Sequence, residues 1–363
     1  MVEETPGHVL SGEGRVASKS KDVDDLFAHW SAPARTPGAA VQVVQCGNVV
    51  HARQYGLADV EKNLPITPDT MFLLGSLTKP FTALAVMLLI ERGALSFDAC
   101  LSDLLPDFPA HARRITVRHL LHHTSGFGDY RDPLIEAGLL DPDDPYPRSA
   151  RTPPSPLEPT CRQALAALTR QQQLLFAPGE EYHYSNAGYL ILGQIIEQFP
   201  PHSYPAFLKE NIFDRAGMAH SEVPVERWRT VARRAVSYRR LEGGFEDIDY
   251  TPLNLLYGED GVYSTVEDMT RWEQALDTGK LVKQSSLDAA FMPGSLKGGS
   301  RTCYGYGWEL GHDSVFHSGD WLGFNTAIIR YHSRRLTVIV LANCQQIDAL
   351  AAGRAIARIY LAE

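Results

Sequence analysis

Residues 83–90, Ala-Leu-Ala-Val-Met-Leu-Leu-Ile, are apolar without a break, inside a segment from Ser76 to Arg92 that reads as the strongest helix in the chain. A helix that is apolar all round has no face to give to water and must be enclosed by other elements. Whatever this sequence folds into has to be built around that helix. Pro80 falls in its first turn or just beyond, where a missing N–H costs little. Gly93 stands where a left-handed C-terminal cap is expected.

The material for the enclosure lies at both ends of the chain. Val41 to Gln45 and Val49 to Gln54 read as strands joined at Gly47-Asn48, a hairpin signal. In the last third, Tyr304–Leu310, Ser314–His317, Thr326–Tyr331 and Leu336–Ala342 read as strands. Leu336 to Leu341 is nearly continuous apolar sequence, as in a central strand buried on both faces. Asp348 can cap a closing helix from Ala349 to Leu361. Helices are expected at Asp22–Trp30, Cys161–Gln173, Ala187–Gln198 and around Tyr204–Ala216. The expected fold class is α+β, with an antiparallel sheet built from both chain ends, flanked by helices and carrying an inserted, mostly helical lobe. The expected division is a flexible arm over 1–20, a sheet lobe from 21–97 plus 259–363, and a helical lobe over 98–258. Residues 128–160, with Asp141-Pro142 and Pro153-Pro154, read as a long irregular loop, either a binding wall or surface elaboration.

The chain has 363 residues, 44% of them hydrophobic, enough for a sizeable core. A net charge of −9 with no dense basic run argues against a nucleic-acid partner. Five cysteines, scattered and never spaced Cys-x-x-Cys, argue against a disulfide framework or structural zinc. No stretch reaches the roughly 18 apolar residues of a membrane span. The first twenty residues lack the apolar core of a signal peptide. The expected location is cytoplasmic, although a leader trimmed beforehand would leave the same sequence. Oligomeric state is not readable.

The chemistry starts at Ser76-Leu77-Thr78-Lys79. Residues three apart share a helix face, so the hydroxyl and the amine can meet. A serine at a helix start also lies near free N–H groups and the positive dipole end, which favour a developing oxyanion. Lysine ordinarily titrates near 10.4, so a base at neutral pH needs its pKa lowered by roughly three pH units, about 4 kcal/mol of environment. The pattern alone is cheap, since Ser18 to Lys21 repeats it in the polar arm. Ser76 differs in having Gly75 before it and an apolar helix after it. Tyr184-Ser185-Asn186 follows a Pro178-Gly179 turn and precedes a helix, where Asn186 could equally be an N-cap. His317-Ser318-Gly319 sits at a strand end.

Together with Pro37-Gly38-Ala39-Ala40, His119-Leu120-Leu121-His122-His123-Thr124-Ser125-Gly126 and Gly258 to Thr265, these segments resemble the serine β-lactamase and penicillin-binding-protein superfamily. The branch is that of class C β-lactamases, D-amino-acid peptidases and related esterases. The resemblance implies an acyl-enzyme at Ser76, with Lys79 as its proton partner and Tyr184 passing the proton to the leaving group. It implies substrate contacts at Asn186, His317, Gly319 and Asp320, with the N–H groups of Ser76 and Asp320 as the oxyanion hole. The expected substrates are small esters, amides, D-peptides or β-lactams. The alternatives are a penicillin-binding or peptidoglycan-sensing protein that acylates with little turnover, or a true β-lactamase. One departure stands out: the Lys-Thr-Gly of true β-lactamases is replaced by His317-Ser318-Gly319, and a histidine is charged only below a pKa of about 6.5. That makes a carboxylate-bearing β-lactam a less obvious substrate. His119 and His122 read as cap and core rather than metal ligands, and no cofactor is expected.

Overall fold

The computed structural model describes residues 12–31, 35–143, 147–149, 155–224 and 232–362. A six-stranded antiparallel sheet is made of β1 (Ala39–Gln45), β2 (Asn48–Tyr55), β3 (Glu309–Leu310), β4 (Val315–Trp321), β5 (Phe324–Tyr331) and β6 (Leu336–Ala342). Their spatial order is β2-β1-β6-β5-β4-β3, so the first strands of the chain pair with the last. The register Gln45↔Asn48 makes Cys46 and Gly47 the central turn residues, one position earlier than the hairpin signal suggested. Both have positive φ, 51° and 82°, as the tight turn between twisted strands requires.

The helices in contact with this sheet and the site are α1 (Gly12–Leu26), α2 (Lys79–Glu91), α3 (Asn186–Ile196), α4 (Val266–Asp277) and α5 (Ala349–Leu361). β6 shows why its sequence runs apolar. Val338, Val340 and Ala342 face one hydrophobic cluster with α1 and α5, while Ile339 and Leu341 face the other cluster with α2 and α3. α2 is buried from Lys79 to Leu89, as its composition demanded. Phe81 stacks on Trp272 of α4 with ring centroids 4.3 Å apart. α4 is pinned to the sheet by Arg330 of β5, whose guanidinium pairs with Glu273 and Asp277, each at 2.6 Å.

The arm expected over residues 1–20 is not an arm throughout, because α1 already begins at Gly12. The Lys19 ammonium donates to the carbonyls of Tyr360 and Ala362, satisfying the open end of α5. Val23 and Phe27 bury on the outer face of the sheet, and Phe27 stacks on Tyr55 at 4.7 Å. Within 128–160 the chain forms a short helix, Arg131–Glu136, and the Pro153-Pro154 segment lies outside the described residues. All five cysteines are free. Among the described residues no helix is long and apolar enough to cross a membrane.

Candidate active site

Ser76 sits in a single 3₁₀ turn, Gly75–Thr78, that runs directly into α2. The turn is wedged between two segments. On one side Leu74 N–H donates to Val262 O (2.9 Å), and Val262 N–H donates to Thr78 Oγ1 (3.2 Å). On the other, the Thr326 hydroxyl donates to Leu74 O (2.6 Å), holding β5 and β4 against the turn. Gly75 has φ +60°, and a methyl group added there would lie 3.2 Å from the Asp320 amide nitrogen. The N–H of Asp320 therefore lies beside the start of the serine turn, the neighbourhood the family resemblance assigns to an oxyanion.

Lys79 is fully buried. Its Nζ lies 3.0 Å from Ser76 Oγ, 2.8 Å from Asn186 Oδ1 and 3.1 Å from the Glu259 carbonyl oxygen. The last two are carbonyl oxygens, which only accept, so each must be met by an N–H. Once the amine loses one proton, its lone pair has a single remaining direction, toward Ser76. Burial lowers the Lys79 pKa to about 8, against the opposing pull of Glu259, Asp260 and Asp129. A hydroxyl and an amine so arranged can exchange a proton. Asn186 is available for this bond because Ser185, not Asn186, caps α3 by accepting from Gly188 N–H at 3.1 Å.

Tyr184 crosses over this pair. Its ring centroid is 4.8 Å from Lys79 Nζ, and its hydroxyl lies near the Ser76 side chain, whose influence works against the rise in the phenol's pKa. One ring edge remains open to solvent (37% exposed), while protein around the hydroxyl raises the phenol's pKa well above its usual value. The phenol is thus neutral, a donor rather than a base. His123 holds it in place: its carbonyl accepts from His183 N–H (2.9 Å), its Nδ1 accepts from Ser185 N–H (3.0 Å), and its ring packs on Tyr184 at a tilt of 33°, centroids 4.3 Å apart.

His317 behaves differently from what its sequence position suggested. Its ring is 1% exposed and both nitrogens are engaged within the protein. Nδ1 lies 2.7 Å from the Ser318 carbonyl and so carries the hydrogen, leaving Nε2 to accept from the Tyr304 hydroxyl at 2.9 Å. Burial, with the nearby Lys79, lowers its pKa to about 3, so the ring is neutral. It stands behind Tyr184, with centroids 6.5 Å apart, and offers a ligand neither charge nor an open nitrogen. The strand's alternation turns His317 inward and leaves Asp320 exposed. Gly319 packs so tightly on the serine turn that a methyl group there would lie 1.9 Å from Leu74 O.

Sequence reading missed Glu259, Tyr304 and the role of His123. No spacing rule links them to Ser76, and only the fold brings them together. His119 and His122 are structural, the first in a capping box with Thr116 and the second bonded through Nδ1 to Tyr304 O at 3.0 Å. A cleft of about 520 Å³ lined by Gln274, Arg330, Tyr331 and Leu336 opens at the opposite end of the sheet and contains none of these groups.

The fold and this cluster define a class. The Beta-lactamase family profile matches residues 23–362, and the chain belongs to that family. Among its relatives is penicillin-binding protein 4* of Bacillus subtilis, 31% identical over 349 residues, covering 91% of this chain and 73% of that one. A D-aminopeptidase of Gluconobacter oxydans is 27% identical over 321 residues, covering 86% of this chain and 57% of the relative. Among solved structures, an octameric penicillin-binding protein homologue from Pyrococcus abyssi superposes with a TM-score of 0.78 at 26% identity, over 94% of this chain and 77% of that one.

Proposed function

We propose that the protein is a serine hydrolase that acts on small esters or amides through an acyl-enzyme at Ser76. The observation that carries this reading is the aim of the Lys79 amine. Asn186 Oδ1 and the Glu259 carbonyl hold two of its positions, and the third faces Ser76 Oγ at 3.0 Å. In the proposed reaction Ser76 Oγ bonds to the acyl carbon as its proton passes to Lys79. The N–H groups of Ser76 and Asp320 receive the oxyanion. Tyr184, neutral and beside both groups, hands a proton to the departing alcohol or amine and takes back the one held by Lys79, and water then releases the acyl group.

Charge around the site favours substrates without a carboxylate near the scissile bond. Lys79 is surrounded by Glu259, Asp260 and Asp129, Tyr184 feels Glu309, and Asp320 is exposed at the strand end. With His317 neutral, the third motif itself carries no positive charge in place of the missing lysine. The likeness to a D-aminopeptidase fits a substrate whose acyl side is neutral or cationic. A second reading, acylation with little turnover, is favoured by the identity to penicillin-binding protein 4*. Following a chromogenic ester, D-amino-acid amides and a cephalosporin side by side separates the two, with Ser76→Ala as control. Turnover that vanishes in the variant supports the hydrolase. A stoichiometric adduct that stalls supports the second reading, and an adduct on any residue other than Ser76 would overturn both.

A further inference from the structure

Glu259 is the one acidic side chain at the site that is fully enclosed and that the proposed reaction leaves idle. Its residue is 2% exposed, and both carboxyl oxygens are buried without a hydrogen-bond partner of ordinary geometry. Its own backbone carbonyl meanwhile holds the Lys79 amine at 3.1 Å, which fixes the side chain's root beside that amine. The groups facing the carboxyl are Lys79 from α2, Asp260 on its own loop, Tyr130 just before the Arg131–Glu136 helix, Cys161 at the start of the Cys161–Leu168 helix, and Tyr204 at the start of the Tyr204–Leu208 helix. Burial keeps Tyr130, Cys161, Tyr204 and, farther off, Tyr184 neutral, with the Tyr130 hydroxyl close enough to favour the carboxylate, and among the described residues Lys79 and Asp260 bring the charges that bear on the carboxyl most. A buried carboxyl with no well-formed hydrogen bond is costly to ionise, and such a group is retained at the expense of stability.

We propose that Glu259, through this buried and unpaired carboxyl, sets the protonation state of Lys79 and with it the pH at which Ser76 becomes reactive. Ionised, it holds the lysine as an ammonium whose third N–H occupies the Ser76 hydroxyl. Protonated or replaced, it no longer opposes loss of that proton, and the amine's lone pair turns to Ser76. Burial raises the carboxyl's own pKa, which puts its change of charge in the working range of an enzyme near neutrality. Glu259 is thus a positioning residue acting through Lys79. This rests on the Ser76–Lys79 reading above, and the test separates the two.

The probe is a fluorophosphonate. Ser76 Oγ bonds to phosphorus, fluoride leaves, and the hydroxyl proton passes to Lys79. Its rate of attachment is followed by intact mass from about pH 5 to about pH 10, a span that contains both the raised carboxyl pKa and the lowered lysine pKa. In Glu259→Gln and in Glu259→Met, which is similar in size and apolar, the rising limb of the rate should move to lower pH by about one unit or more, as expected on removing an opposite charge a few ångströms away. Labelling below the limb should then be about tenfold faster than in the parent. A 13C titration of the Lys79 ε-carbon, which needs no activity, should show the same displacement. Unmoved limbs and an unmoved lysine titration in either folded variant would overturn the proposal. So would a limb that moves only in Asp260→Asn, or failure of both variants to fold, since the proposal gives the carboxyl no part in holding the fold. If the parent is labelled elsewhere than Ser76, the serine reading fails, and the lysine titration alone decides the role of Glu259.

Discussion

At Ser76 the decisive matter is which atoms can only accept. Asn186 Oδ1 and the Glu259 carbonyl each claim an N–H from Lys79, so the amine is aimed by its neighbours' chemistry as much as by helix spacing. On this reading the acylation rate rises with pH as the ammonium loses its proton, with a limb near the lysine's lowered pKa of about 8. A pH profile of chromogenic ester turnover checks this, and a flat profile across that region would count against Lys79 as the base. Tyr184→Phe keeps the ring contact with His123 and removes only the hydroxyl. It should cost about 10²–10⁴ in kcat/KM, the usual scale for a general acid–base group, with little change in thermal stability. These residues were legible in the sequence because the local motifs carry them. His317 was legible as a position but not as a role, since burial and the bond to Tyr304 decide its charge.

Elements meet here at glycines and at one buried ion cluster. β4 approaches the serine turn so closely that Gly319→Ala would drive a methyl group into Leu74 O at 1.9 Å and Thr326 Oγ1 at 2.6 Å. The strand would have to retreat, taking the Asp320 N–H with it. The variant should lose about 1–3 kcal/mol of stability, the usual cost of overpacking, and should also lose acylation, read by urea melts and by Ser76 labelling. At the other end of the sheet, Glu273→Ala would leave Arg330 buried with half its partners gone, and would also take the acceptor from the Thr337 hydroxyl at 2.7 Å. Removing one partner of a buried pair typically costs about 3–5 kcal/mol. The midpoint in urea should fall while the pH profile of the folded enzyme keeps its shape. Sequence reading had not foreseen α4, although Thr265 caps it by accepting from Asp268 N–H at 3.1 Å. Its mixed charged face hides the apolar stripe of Met269, Trp272 and Leu276 that packs inward.

Across the whole molecule, several histidines are held neutral by burial. His51 and His122 have pKa values lowered to about 4 and His317 to about 3. A depressed folded-state pKa contributes stability that is complete above the unfolded value of about 6.5 and is lost as pH falls through the folded values. Melting temperature should therefore hold above about pH 6.5 and decline steadily from there toward about pH 4, with a few kcal/mol lost in total. His51 links α1 to the sheet through Ser20 Oγ at 2.8 Å, so α1 should be among the first elements to release. Hydrogen exchange at acid pH checks that order, and α1 remaining protected until the global transition would contradict it.

The sequence by itself determined a good deal. A helix apolar on every face had to be enclosed, an unbroken apolar strand had to lie between two layers, and residues three apart had to share a face. These are consequences of local periodicity and of what water rejects. Only the tertiary structure decided which serine of two similar patterns has a buried amine, that His317 is neutral, and that a buried carboxyl with no ion-pair partner in contact lies near Lys79. Those outcomes depend on desolvation and on contacts between residues more than a hundred positions apart, and no local pattern carries either.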